Sequence, residues 1–104
     1  MSISLVYVTA ENIAQASQIG RILIEDRLAA CVNIIDRMKS IYWWNGKIEE
    51  SDEAILIVKT QSSHVGSVIE RIGELHHAGT PCAIELAVNH GNQDFLDWVK
   101  SETA

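Results

Sequence analysis

The densest metal-ligating chemistry in the chain is the pair His76-His77, followed after a short Ala-Gly-Thr-Pro stretch by Cys82. Imidazole nitrogen and thiolate sulfur are ligands that copper and zinc favour, so a loop carrying all three suits a soft divalent cation such as Cu(II). Adjacent side chains on regular structure diverge, however. A chelate then requires the loop to fold back on itself or a second subunit to supply a ligand. Protonated histidine is also favoured at a helix C-terminus by the macrodipole, which accounts for a His-His ending without any metal.

Other residues with reactive side chains have weaker contexts. His64 falls in the first turn of a helix and His90 beside Gly91 in a polar turn, and both read as solvated positions. Cys31, inside Leu28-Ala29-Ala30-Cys31-Val32, reads as a small buried hydrophobe. Cys31 and Cys82 form no C-x-x-C pattern, so neither a zinc knuckle nor a redox pair is signalled. The run Glu49-Glu50-Ser51-Asp52-Glu53 reads as a solvated acidic turn, because it lacks the interleaved ligands and the glycine of a calcium loop. No Gly-rich phosphate loop, nucleophile elbow or H-E-x-x-H motif occurs, and no nucleophile stands beside a base, so the chain is not expected to be an enzyme. Lys47, Glu49, Lys59 and Thr60 are placed to line a polar cleft, or to make strand-end ion pairs.

The elements that must position these residues follow from hydrophobic periodicity. Ile3 to Thr9 is β-branched and aromatic and predicts a strand. Ile13, Ala16, Gly20 and Leu23 recur at helical spacing and predict a helix over residues 11–28, with Thr9 near its start. Ala29 to Met38 reads as a second strand ending at a charged turn around Asp36 and Arg37. Ser40–Trp44 and Lys47–Glu50 flank Asn45-Gly46, the dipeptide best suited to a two-residue type I′ hairpin. Beyond the acidic turn, Ala54 to Thr60 is a further strand. Val65, Val68, Ile69, Ile72 and Leu75 make a helical stripe, with Thr60, Ser62 and Ser63 as candidate caps. Gly79 and Pro81 oppose its continuation, Ala83–Val88 is a last strand, and Asn92 or Asp94 caps a terminal helix. The order predicts one α+β domain over residues 1–104, a ferredoxin-like split β-α-β sandwich with an extra β-hairpin and a C-terminal helix.

Composition narrows the function. The chain has 104 residues, 47% of them apolar and 21% charged, and a formal net charge of −6. Its eight lysines and arginines are scattered singly, so nucleic acid is not an expected partner: phosphate binding needs clustered cations. The acidic balance agrees better with a cation. Met1-Ser2-Ile3-Ser4 lacks a basic start, and Leu5-Val6-Tyr7-Val8 is too short for a signal sequence or a membrane span, so the expectation is a cytoplasmic protein with reduced thiols and no membrane partner.

Two helices on one face of an antiparallel sheet leave the other face uncovered. The hairpin adds Tyr42, Trp43 and Trp44 in a row, and alternation sends Trp43 to one side and its two neighbours to the other. Such rings on a protruding ribbon favour self-association. A homo-oligomer is expected.

Several blocks carry a family likeness: Leu28-Ala29-Ala30-Cys31-Val32-Asn33, Ser40-Ile41-Tyr42-Trp43-Trp44-Asn45-Gly46-Lys47-Ile48-Glu49, Lys59-Thr60, and Gly91-Asn92 through Leu96-Asp97-Trp98. In order and spacing they resemble the CutA divalent-cation tolerance family. The resemblance implies a ferredoxin-like subunit, a tight homotrimer held by strand pairing, a response to metal ions and copper binding, with no established catalysis. The chain departs from the family after the second helix, where members commonly read L-H-P-Y-x-x-P-E and this sequence reads Leu75-His76-His77-Ala78-Gly79-Thr80-Pro81-Cys82. Val8 also stands where some copper-binding members have Cys. Only His76 therefore carries over as a family metal residue, with His77 and Cys82 as replacements. The competing expectation is a signalling or interaction module, binding a protein partner or taking a small anion or metabolite in the clefts between protomers near Tyr42, Lys47 and Lys59.

Overall fold

The computed structural model describes residues 2–104. Strand β1 (Ile3–Ala10) runs through the middle of the sheet, antiparallel to β3 (Lys47–Gln61) on one side and β4 (Ala83–Val88) on the other. Strand β2 (Cys31–Trp44) pairs antiparallel with β3, which gives the sheet order β2-β3-β1-β4 of a ferredoxin-like fold. Helix α1 (Ile13–Glu25) connects β1 to β2, a 3-10 turn (Ser62–His64) and α2 (Val65–Leu75) connect β3 to β4, and α3 (Gln93–Glu102) ends the chain.

Alternation along the strands builds the core. Val6 and Val8 of β1 share one face with Leu56 and Val58 of β3, and all four are fully buried against Ile19 and Leu23 of α1 and Val65, Val68 and Ile72 of α2. Burial of each such side chain contributes on the order of 1.5–3 kcal/mol. Gly20 lets α1 approach closely, since a Cβ there would lie 3.0 Å from a Val32 methyl. Helix α3 lies toward the other face at one end of the sheet. There Lys59 of β3 reaches over the Phe95 ring, and the Gln61 side chain donates to the Lys100 carbonyl at 3.2 Å and to the Thr103 hydroxyl at 3.0 Å.

The helix boundaries differ from the sequence expectation for identifiable reasons. Helix α1 starts at Ile13 because Asn12 Oδ1, not Thr9, accepts the Gln15 N–H. It ends at Glu25 because Arg27 turns left-handed (φ 60°), with Arg27 N–H bonded to Ile24 O and Leu28 N–H to Leu23 O, a Schellman closure in which arginine occupies the usual glycine position. Neither Thr60 nor Ser62 caps α2. The Thr60 hydroxyl donates to Leu28 O at 2.6 Å, and Ser62 Oγ pairs with Ser4 Oγ. Asn92 caps α3 as expected.

The hairpin at Asn45-Gly46 forms, with φ of 51° and 76° at its two turn residues, but as the far end of two continuous strands. The charged turn expected at Asp36-Arg37 is a β-bulge instead: Ile35 pairs with Ile55 and Met38 with Glu53, so two residues of β2 face Ala54 alone, and Arg37 takes φ 61°. The acidic turn expected over residues 49–53 is likewise strand. The Asn45-Gly46 turn fixes the register, and Lys39 stands across from Glu50 and Asp52 at 3.6 and 4.0 Å, so pairing overrides the low β-propensity of the carboxylates.

Candidate functional site

The β2–β3 pairing decides which side chains meet, and within that pairing the phase of β2 is shifted by the bulge. Before it, the odd-numbered residues of β2 lie on the sheet face away from α1 and α2; after it, Met38, Ser40, Tyr42 and Trp44 do, because one extra residue reverses the phase. Tyr7 of β1 donates its hydroxyl hydrogen bond to Met38 Sδ at 3.6 Å, which fixes this face. Trp43 thus points to one side and Tyr42 and Trp44 to the other, as alternation requires.

Tyr42 and Trp44 form part of the wall of a cavity of about 590 Å³, closed on the opposite side by the loop after α2. Ser40, Glu53, Thr9, His76 and Cys82 also line it. The loop is tied down at both ends by one residue of β1. Thr9 O accepts from His76 Nε2 at 2.9 Å, and Thr9 N–H donates to Cys82 O at 3.3 Å. His76 Nδ1 accepts from the Ala78 N–H at 3.0 Å, so the tautomer this network requires carries its proton on Nε2.

The three candidate ligands are therefore not equivalent. His76 and Cys82 share the cavity wall. His77 is exposed on the other side of the loop start, with Nδ1 3.9 Å from Glu11 Oε2. Both ring nitrogens of His76 are already engaged, and among the described residues no three His, Cys, Asp or Glu side chains group as a metal site. Within the single chain these donors do not assemble a chelate in this conformation.

Two further residues moved from their sequence reading. His64, read as solvated, is partly buried, and its Nε2 bonds the Thr103 carbonyl at 2.6 Å, holding the end of α3. Glu53, read as part of an acidic turn, faces the cavity. Its direction follows from alternation along β3, which runs unbroken from Lys47 to Gln61 with Ala54, Leu56 and Val58 on the helix-covered face. Of the three residues near which a cleft ligand was expected, only Tyr42 lines the cavity: Lys59 covers Phe95 and Lys47 sits at the hairpin tip. Among the described residues no helix is long and apolar enough to cross a membrane.

Residues 4–102 match the family of the CutA1 divalent ion tolerance protein. The divalent-cation tolerance protein CutA of Archaeoglobus fulgidus is 40% identical over 96 residues, which cover 92% of this chain and 93% of that protein. Protein CutA of Mus musculus is 43% identical over 102 residues, 98% of this chain but only 58% of the mouse protein, so the chain spans little more than half of that relative. In three dimensions, CutA from Xylella fastidiosa aligns with a TM-score of 0.97 at 36% identity over the whole of both chains. The periplasmic divalent cation tolerance protein CutA from Archaeoglobus fulgidus aligns with a TM-score of 0.96 at 37% identity, covering 98% of this chain and 99% of that one. The chain belongs to the CutA1 divalent ion tolerance protein family.

Proposed function

We propose that this chain acts as a non-enzymatic, cytoplasmic homotrimer that responds to divalent cations, with Cu(II) the favoured ion. The observation that carries the assembly is the unpartnered apolar surface of the single chain. Ile35, Ile84 and Leu86 are about half exposed on the sheet face not covered by α1 and α2, and Ile41, Trp43 and Ile48 stand out on the far side of the hairpin. Strands β2 and β4 are also open edges. Copies of the same chain would cover faces and edges together, as proteins with long apolar edge strands require. For the metal, the support is the shared position of His76 and Cys82 on one cavity wall; His77 would join them only if the loop turned. His76 would exchange its bond to Ala78 or to Thr9 for the ion, and a second protomer would complete the ligand set. Native mass spectrometry with and without Cu(II) and Zn(II), on the protein and on a His76→Ala, His77→Ala variant, tests both parts. A trimer that takes up copper only when the histidines are present supports the reading; a monomer, or copper uptake unchanged by the variant, sinks the corresponding half. Cell fractionation tests the cytoplasmic placement.

A second reading is favoured by the cavity itself. Its volume and its mixture of aromatic walls with a few polar groups are those of a small-molecule site, and a signalling module that reads a ligand there would need no catalytic residue.

A further inference from the structure

The cavity between the hairpin and the loop after α2 has a sign. Its lining includes the Glu53 carboxylate, the Tyr42 phenol, the His76 imidazole and the Cys82 thiol, and neither lysine nor arginine. Glu53 is half-buried and enters no ion pair among the described residues, whereas Glu50 and Asp52, which point to the opposite side of β3, share Lys39. His76 does not neutralise Glu53 in this arrangement, because its Nδ1 is occupied as an acceptor by the Ala78 N–H and its one proton goes to Thr9 O. A partly desolvated carboxylate without a counter-ion attracts positive charge more strongly than one in bulk water.

The walls add a second attraction of the same sign. Tyr42 and Trp44, two positions apart on β2, turn to the same side of the hairpin as Glu53, and the faces of tyrosine and indole rings attract cations. The hydroxyls of Thr9, Ser40 and Thr80 supply acceptors for ammonium hydrogens. The Asn45-Gly46 register creates the combination: Tyr42 pairs with Glu49 and Trp44 with Lys47, each an even number of residues from Glu53 on the continuous strand β3. A net charge of −6 favours the approach of the same class of ligand.

We infer that the cavity binds a small organic cation, an ammonium group held by Glu53 beside the Tyr42 ring, with its apolar remainder against Trp44, Ala78 and Pro81. This deepens the second reading and rests on it. The ligand carries the opposite charge to the small anion considered for the clefts between protomers near Lys47 and Lys59, and because His76 and Cys82 line the same cavity a bound metal would compete with it.

Three matched probes test it on chelator-treated full-length protein by isothermal titration calorimetry: phenethylammonium, 2-phenylethanol and phenylacetate. They share a ring and a two- or one-carbon arm and differ in charge. Phenethylammonium is expected to bind about tenfold tighter than the alcohol, and phenylacetate not to saturate. Glu53→Gln, with its assembly state and far-UV circular dichroism unchanged, is expected to bring the amine within about twofold of the alcohol, and Tyr42→Leu to weaken the amine more than the alcohol. Glu50→Gln, an acidic residue on the other side of the strand, is expected to leave all three unchanged. Equal binding of the amine and either other probe, or a tenfold preference that survives Glu53→Gln, overturns the cation and leaves a ligand cavity. Binding by none of the three overturns the cation and the cavity reading together.

Discussion

The two ends of the β2–β3 ribbon are made of similar residues and have opposite fates. Toward the end that holds Leu56 and Val58, the ribbon is one edge of the sheet and its inward side chains are fully buried under α1 and α2. Beyond the bulge it has left the sheet, because β1 ends at Ala10 opposite Ala54 and offers residues 47–53 no further neighbour. There Ile41 is 64% exposed, Ile48 63% and Trp43 73%. The radius of gyration is 14.1 Å, against about 13 Å for a compact chain of this length, and the longest axis reaches 44 Å. The apolar alternation of the inner half is satisfied within the chain, whereas that of the outer half stays exposed on the single chain.

The sharpest way to separate the halves is to weaken each alone. Leu56→Ala removes a fully buried side chain at the centre of the core and is expected to cost about 2–5 kcal/mol of unfolding free energy, measured by urea denaturation. Trp43→Ser on the outer half is expected to leave the secondary structure intact while weakening self-association by roughly 2 kcal/mol or more, a shift to smaller species in sedimentation velocity at micromolar protein. If Trp43→Ser unfolds the chain as Leu56→Ala does, the outer ribbon belongs to the monomer's core and the contrast fails.

How far the sequence disclosed this division depends on the residue. The core stripe of α2 and the Asn45-Gly46 turn are local signals, and both appear where periodicity and φ preference put them. The bulge is not a local signal: Asp36 and Arg37 look like any charged turn, and only the pairing of Ile35 with Ile55 and Met38 with Glu53 shows two residues opposing one. That Glu53 and Trp44 face one cavity with His76 was hidden for a different reason: residues 49–53 read as an acidic turn, whereas β3 runs continuously from Lys47 to Gln61 and carries Glu53 and the partners of Tyr42 and Trp44 on one side. The ligand loop was legible as a cluster of donors. Its geometry was not, since the bonds that hold His76 run to Thr9, a residue 67 positions away.

Those bonds suggest a smaller effect. In His76→Ala the loop loses its tie to Thr9 and the acceptor for the Ala78 N–H, which together contribute about 1–2 kcal/mol to local closure. Amide hydrogen exchange over residues 77–80 is expected to quicken roughly tenfold while the amides of β1 and α2 keep their protection. Unchanged exchange in the loop would mean that Pro81 and the start of β4 hold it without the histidine.

The smallest expected difference compares two arginines in the same strained backbone conformation, one just after α1 and one in the bulge of β2. Arg27 and Arg37 both have φ near 60°, where a side chain costs up to about 1 kcal/mol relative to glycine. Arg37 has no side-chain partner among the described residues, and only its N–H is held, by Asp36 Oδ1 at 2.8 Å. Arg27 instead spans from the end of α1 to α3, pairing with the Glu102 carboxylate at 2.7 Å and its carbonyl at 3.2 Å. Arg37→Gly should therefore raise the urea midpoint by the equivalent of up to about 0.5 kcal/mol, since relief of backbone strain outweighs the added unfolded-chain entropy of glycine and no side-chain contact is lost. In Arg27→Gly the same relief is offset by loss of an exposed pair and a hydrogen bond, each contributing about 1 kcal/mol or less, so its midpoint should stay close to the parent's. Equal gains from both substitutions would show that the contact from Arg27 to α3 contributes nothing; a loss from Arg37→Gly would show that the bulge depends on the arginine rather than on its backbone angle.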